Sequence, residues 1–81
     1  AEFFRYLRLC RRRDDAAGDI ARDIIADHCM RARTFRGLVR HLEQHNASDA
    51  AMGALMAVHD EYCTEMRLAV ARKVRAAEGL L

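Results

Sequence analysis

Residues 48–70, SDAAMGALMAVHDEYCTEMRLAV, decide the fold class of this chain. Uncharged side chains recur there every three or four positions, which at 100° per residue places them on one side of an α-helix. The members of this stripe are Met52, Leu55, Val58, His59, Tyr62, Cys63, Met66 and Val70. Ser48 offers a hydroxyl that caps a first turn, and Asp49 adds the negative charge favoured there. The sequence therefore predicts a long helix that reaches Glu78 and is ended by Gly79.

Three shorter helices are predicted before it. The first occupies residues 2–12, and a turn follows at residues 14–18. Asp19 is predicted to cap the second helix, and the third starts near Thr34 and stops by Asn46, a residue that tolerates the left-handed cap conformation. The inward side chains are predicted to be Phe3, Tyr6, Leu7 and Cys10, then Ile20, Ala21, Ile24, Ile25 and His28, then Phe35, Leu38, Val39 and Leu42. Because no proline interrupts these patterns, we expect an all-α fold.

Lys73 lies in the middle of the apolar stripe of the last helix, which indicates that this helix extends beyond its domain after about Val70. We predict one compact four-helix domain over residues 1–70 and an extension of the last helix over residues 71–81. The extension keeps an apolar margin made of Val74, Ala77, Leu80 and Leu81. This margin is a predicted self-association site, and an end that folds back on the domain or frays is the alternative.

Composition limits the classes of function. The chain has 81 residues and a formal net charge of +2, so it can form one domain with a modest core and no deep catalytic cleft. No run approaches the roughly 18 to 20 apolar residues of a membrane span, and no signal-peptide pattern opens the chain. Cys10, Cys29 and Cys63 are odd in number and lack CxxC spacing, which argues against a disulfide framework, so we interpret them as apolar fillers. We expect a soluble, cytoplasmic protein without a membrane partner.

Four motifs resemble a known family. FFRYL (3–7), GDIARDIIADH (18–28), RHLEQH (40–45) and HDEY (59–62) look like the successive helices of the YozE-like family. Those are small bacterial cytosolic proteins, and the resemblance implies an orthogonal four-helix bundle similar to the sterile alpha motif. His59 stands where the family usually has tryptophan. The resemblance implies an interaction module and no particular activity.

Metal or catalytic chemistry has weak support in the sequence. His41 with His45, and His59 with Cys63, are spaced i, i+4 and could offer four zinc ligands. However, His59 and Cys63 lie in the core stripe, and His45 lies at a helix end where a cation offsets the dipole. No nucleophile elbow or glycine-rich phosphate loop is present. We therefore predict no enzyme activity, no cofactor, no metal and no small-molecule substrate.

Two arginine stripes are candidates for binding an anionic partner. On the first helix the stripe consists of Arg5, Arg8 and Arg12, and on the third it consists of Arg33, Arg36 and Arg40. If both stripes face the same way, the guanidinium groups could follow a phosphate backbone with salt-sensitive affinity. If they diverge, they are solvated faces.

An acidic edge offers a second use for these arginines. Asp19, Asp23 and Asp27 follow at i, i+4 and i+8 on the second helix. An acidic edge on one copy and a basic stripe on another would allow head-to-tail association, as in sterile alpha motif domains. The alternative is that Asp19 is a cap, Asp23 pairs with an arginine and Asp27 is solvated. The sequence thus favours a noncatalytic protein-interaction module that binds itself or another protein, with nucleic-acid binding as the alternative function.

Overall fold

The computed structural model describes residues 2–27 and 30–79, and this part of the chain contains four α-helices and no strand. The helices are α1 (Glu2–Cys10), α2 (Ala16–Ala26), α3 (Phe35–Gln44) and α4 (Asp49–Gly79). The predicted all-α class and the order of four helices with a long last one are confirmed. None of the described helices has the length and apolar character needed to cross a membrane. His28, Cys29, Leu80 and Leu81, which carried sequence predictions, lie outside the described residues.

The core draws on all four helices. Leu7 of α1, Leu38 of α3, and Leu55 and Val58 of α4 are fully buried. Helix α2 adds Ile20, Ala21 and Ile24. Each large aliphatic side chain removed from water contributes about 1.5–3 kcal/mol, so these contacts hold the short helices against the first half of α4. The predicted inward positions are confirmed here, except that Ile25 is 41% exposed.

An aromatic layer closes one side of this core. The Phe3 ring meets the Phe35, His59 and Tyr62 rings edge-on, with centroid distances of 5.5, 5.3 and 5.5 Å. The His59 imidazole stacks on the Phe35 ring at 3.8 Å, with an angle of 17° between the planes. Such aromatic pairs contribute about 0.5–1.5 kcal/mol beyond their buried area. His59 therefore packs as a core aromatic between α1, α3 and α4.

The connection from α1 to α2 differs from the sequence prediction. Asp15, not Asp19, caps α2: its Oδ1 accepts a hydrogen bond of 3.0 Å from the Gly18 amide. Gly18 lies inside the helix, where its Cα packs against the Arg13 carbonyl. A Cβ at this position would come within 1.8 Å of the carbonyl oxygen. The glycine thus permits a close helix–turn approach instead of forming the turn, and α2 starts earlier than predicted.

Both ends of α3 and the start of α4 follow the sequence prediction, whereas α1 ends at Cys10, two residues before its predicted end. Thr34 Oγ1 accepts a 3.1 Å bond from the Gly37 amide at the start of α3. Asn46 adopts a positive φ of 54° just after α3, and Ser48 Oγ accepts from the Ala51 amide at 3.1 Å. Each cap satisfies backbone groups that the helix itself leaves unpaired.

Helix α4 is longer than the bundle that it supports. Its 31 residues span about 46 Å, which accounts for most of the 53 Å long axis of the molecule. The side of α4 that faces the other helices is buried or half-buried up to Cys63, whereas residues 64–79 are exposed apart from a half-buried Ala69. Met66 and Val70, predicted to belong to the core-facing stripe, are 44% and 57% exposed. That part of the prediction was wrong, because no other helix in the described part of the chain reaches this far.

Candidate protein-interaction surfaces

A groove with a cationic rim and an apolar floor runs along α1. Its outer part, with a volume of about 370 Å³, is lined by Phe4, Arg5, Arg8, Leu9 and Arg11. An adjoining part of about 200 Å³ continues toward α2 and is lined by Phe4, Arg8, Ile24, Ile25, Asp27, Met30 and Arg33. Phe4 and Arg8 belong to both parts, so we treat them as one surface and call it the basic groove.

Local interactions hold the walls of the basic groove in place. The Arg33 guanidinium lies over the Phe4 ring, 4.7 Å from its centroid, a cation–π contact between the segment before α3 and the surface of α1. Arg11 donates from Nη1 to the Arg8 carbonyl at 2.8 Å and so covers the C-terminal end of α1. Leu9 is 69% exposed. The groove therefore presents apolar side chains to solvent among arginines.

The two predicted arginine stripes meet only in part. Arg5, Arg8 and Arg33 line the basic groove, so the structure brings together residues from both stripes. Arg12 lies in the turn after α1, and Arg36 and Arg40 lie on α3; all three are exposed, and none lines the groove. The shared surface is consequently a compact patch at Arg8 and Arg33, and the remaining arginines stand apart from it.

The predicted acidic edge lines a second groove, between α2 and the start of α4. One part of about 230 Å³ is formed by Ala16, Asp19, Ile20, Asp23, Ser48, Ala50, Ala51 and Ala54. A second part of about 190 Å³ is formed by Ile20, Asp23, Ile24, Asp27, Met30, Leu42, Ala47, Ser48 and Ala51. We call this surface the acidic groove. Its carboxylates all come from α2, and its floor is made of small apolar residues of α4.

The three aspartates differ in their surroundings. Asp19 accepts a 2.5 Å bond from Arg22 but keeps 73% of its side chain exposed. Asp23 is exposed, and within residues 2–27 and 30–79 it makes no hydrogen bond or ion pair. Asp27 is half-buried, caps the end of α2, and accepts a 2.9 Å bond from Nε2 of His41. Asp19 and Asp23 are thus the members of the edge that face solvent.

The two grooves adjoin at the C-terminal end of α2, where Ile24, Asp27 and Met30 line both, and they diverge from there. Asp19 and Asp23 face the start of α4, whereas Ile25 faces Phe4 and Arg8 of α1. Asp19 and Asp23 do not line the basic groove, and Arg8 and Arg33 do not line the acidic groove. A contact between the basic groove of one copy and the acidic groove of another therefore joins two different surfaces, which is the geometry that makes rings or filaments.

The candidate metal-binding side chains are engaged in structural contacts. His41 and His45 stack at 4.1 Å, and His45 donates from Nδ1 to the His41 carbonyl at 2.9 Å. The Cys63 sulfur lies 3.9 Å from Nδ1 and 3.8 Å from Nε2 of His59, so it is aligned with neither nitrogen. Within the described residues, no group of three or more His, Cys, Asp or Glu side chains could hold a metal ion.

A further polar groove, of about 320 Å³, lies where α4 leaves the bundle. It is lined by Tyr6, Asp60, Glu61, Thr64 and Glu65. Burial, together with the nearby Cys10, Glu61 and Glu65 side chains, raises the pKa of the Tyr6 hydroxyl. Burial also raises the pKa of the Cys10 thiol, which disfavours its thiolate form. The sequence did not indicate this groove, because its walls come from helices far apart in the chain.

No family model matches this sequence, and comparisons with curated proteins and with solved structures give no match either.

Proposed function

We propose that this protein is a noncatalytic protein-interaction module that associates through its charged grooves. The observation that carries the proposal is the basic groove, in which exposed Leu9 and Ile25 and the Phe4 ring lie among Arg5, Arg8 and Arg33. Apolar contact area surrounded by guanidinium groups is typical of protein interfaces, where aromatic residues and arginine are enriched. Exposed apolar side chains on a small domain also favour a partner over bare solvent.

The partner that fits this groove is an acidic surface with apolar side chains. The acidic groove of another copy meets both requirements, since Asp19 and Asp23 lie along one side of a floor that contains alanines. We therefore propose head-to-tail self-association between the two grooves. The resemblance of the four sequence motifs to the YozE-like family supports the same function. On this resemblance we also propose that the bundle is similar to the sterile alpha motif and that the protein is a bacterial, cytoplasmic one.

The test uses two complementary variants. Arg8→Glu/Arg33→Glu alters the basic groove and leaves the acidic groove intact, whereas Asp19→Lys/Asp23→Lys does the reverse. Each variant alone should lose higher-order assembly in sedimentation velocity. In an equimolar mixture, the intact groove of one variant should bind the intact groove of the other. The resulting pair has no further intact groove through which it could grow. Arg12→Glu/Arg40→Glu has the same net charge as the first variant but lies outside the groove and should assemble normally. Assembly beyond a dimer that survives in both groove variants would exclude this surface.

Nucleic-acid binding is the second candidate, and the meeting of Arg8 and Arg33 at one groove favours it. Such a patch would contact few phosphates, so affinity should fall with salt with a shallow slope. A gel-shift titration should show complexes that Arg8→Glu/Arg33→Glu removes and Arg12→Glu/Arg40→Glu retains. The absence of any shift at low salt would eliminate this candidate and leave the protein-binding proposal unaffected.

A further inference from the structure

The projecting half of α4, residues 64–79, carries an apolar stripe that covers nothing in the described part of the chain. Met66, Val70 and Val74 are 44%, 57% and 51% exposed, and Ala77 is exposed as well. At 100° per residue these four positions lie within about 80° of one another. The stripe continues the side of α4 on which His59 and Cys63 face the bundle. An unshielded apolar stripe on a charged helix is a surface for another helix.

We infer that this segment pairs with the same segment of a second copy, antiparallel, with Val70 of one helix opposite Val74 of the other. This inference rests on the proposed interaction function and adds the segment, its orientation and its register. In this register Met66, the largest side chain of the stripe, lies within one residue of the level of Ala77, the smallest. The stripe is self-complementary when one copy is reversed, which is what a twofold symmetric contact requires.

Charge complementarity supports the same register. Arg67 and Glu78 both lie on one flank of the stripe, 11 residues apart in opposite halves of the segment. When the second copy is reversed, that flank faces its own counterpart. Arg67 of each copy then lies beside Glu78 of the other, so that two ion pairs form by symmetry. Both side chains are exposed in the single chain, and their separation of about 16 Å along the helix prevents them from pairing within it.

The bundle itself excludes the parallel arrangement. The stripe lies on the side of α4 that faces α1 and α3, and packed helices approach to about 8–10 Å. In a parallel pair, the second copy's α4 would have to pass through the volume that the first copy's bundle fills, since the bundle is 20–24 Å across. In the antiparallel pair the two bundles lie at opposite ends, and only the projecting segments overlap. Lys73 then lies near the twofold axis beside Lys73 of the other copy.

The experiment is a charge swap in full-length protein carrying Arg8→Glu/Arg33→Glu, which removes groove contacts. Mass is measured by sedimentation equilibrium across a concentration series. The parent should reach twice the 9.2 kDa chain mass. Arg67→Glu or Glu78→Arg alone places like charges together twice per dimer and should weaken dimerisation at least about tenfold. The double variant Arg67→Glu/Glu78→Arg should restore the dimer, because every ion pair is re-formed with its signs exchanged.

The controls and contrary outcomes are equally specific. Arg75→Glu makes the same charge change as Arg67→Glu on the far side of the helix and should leave dimerisation unchanged. Lys73→Leu should strengthen the dimer, since it removes repulsion beside the axis. A parent that stays monomeric up to millimolar concentration overturns the inference. So do single variants without effect, or a double variant that fails to recover. In each of those cases groove-dependent assembly of the unmodified chain can still be observed, so the two proposals fail separately.

Discussion

The Arg13 carbonyl oxygen lies 1.8 Å from the point where a β-carbon on Gly18 would be. The same turn is held by Arg22, whose Nη1 donates to the carbonyls of Arg11 and Arg13 at 2.7 and 3.0 Å. Close packing of α2 against this turn therefore depends on the missing side chain.

Gly18→Ala should destabilise the fold although alanine is the better helix former. Moving the backbone to relieve the overlap should lower the free energy of unfolding by about 1–3 kcal/mol, the usual cost of overpacking, measured by urea denaturation. Gly53→Ala is the matched control, because a β-carbon there meets nothing within 4 Å. That substitution should raise the free energy of unfolding by about 0.5–1 kcal/mol. Equal effects at both positions would show that the close contact is absent.

The cap residue of α2 should make stability sensitive to acid. The Gly18 amide and the Arg13 guanidinium both bond the Asp15 carboxylate, which lowers its pKa. A carboxyl group whose folded pKa lies below its unfolded value of about 3.9 stabilises the fold above that value. This contribution is lost as the pH falls through the folded pKa.

Asp15→Asn tests this dependence, since asparagine still caps the helix but carries no charge. We expect the variant to have a lower Tm than the parent at pH 7, with the difference shrinking below about pH 4 and vanishing once the pH lies below the folded pKa of Asp15. Asp23→Asn, on the same helix but without a hydrogen bond in the described part of the chain, controls for the loss of one negative charge. A Tm difference for Asp15→Asn that is constant with pH would contradict the proposed role of the charge.

Local signals predicted some helix ends and missed others for a physical reason. Thr34, Asn46 and Ser48 were predictable because a cap depends on bonds within one turn. Asp15 and Asp19 both satisfy that local rule, and the choice between them depends on the Arg13 carbonyl, which the sequence pattern does not position. The proximity of Arg8 and Arg33 likewise depends on tertiary packing, which local sequence patterns do not predict. Hydrophobic periodicity also predicted that the core-facing stripe extends through Val70. Periodicity shows which side of a helix is apolar, but it does not show how far the neighbouring helices extend along that side.

The imidazole of His59 should behave as a structural aromatic. Its stacking on Phe35 and edge contact with Phe3 predict that His59→Ala lowers the free energy of unfolding by about 1–3 kcal/mol, from two aromatic pairs. His59→Phe preserves the stacking and should lie within about 1 kcal/mol of the parent. Urea denaturation of the three proteins measures both effects. If His59→Phe were as damaging as His59→Ala, a polar role of the imidazole would replace the aromatic one.

The cysteines should differ in reactivity. Burial raises the pKa of the Cys10 thiol and shields it, whereas Cys63 is only half-buried. Because the thiolate is the reactive form, iodoacetamide should label Cys63 well before Cys10 in native protein. Mass spectrometry of digested samples reads out both sites, and Cys29→Ser removes the third thiol from the assay. Labelling in denaturant should abolish the difference, and equal native rates would contradict the burial of Cys10.

The projecting segment of α4 should be dispensable for folding of the single bundle. The buried side chains of α4 are Leu55 and Val58, and the Arg13–Glu61 ion pair of 2.5 Å is the last bond from α4 to the α1–α2 turn within the described residues. A chain ended after Glu65 keeps all of these contacts. Its free energy of unfolding, measured in urea at a concentration where the full chain is monomeric, should lie within about 1 kcal/mol of the full chain, as for changes at exposed sites. The same truncation should lower helical ellipticity and, in the Arg8→Glu/Arg33→Glu background at high concentration, remove the concentration dependence of Tm that dimerisation through α4 gives. A truncated chain that fails to fold would show that residues 66–79 pack on the bundle in solution.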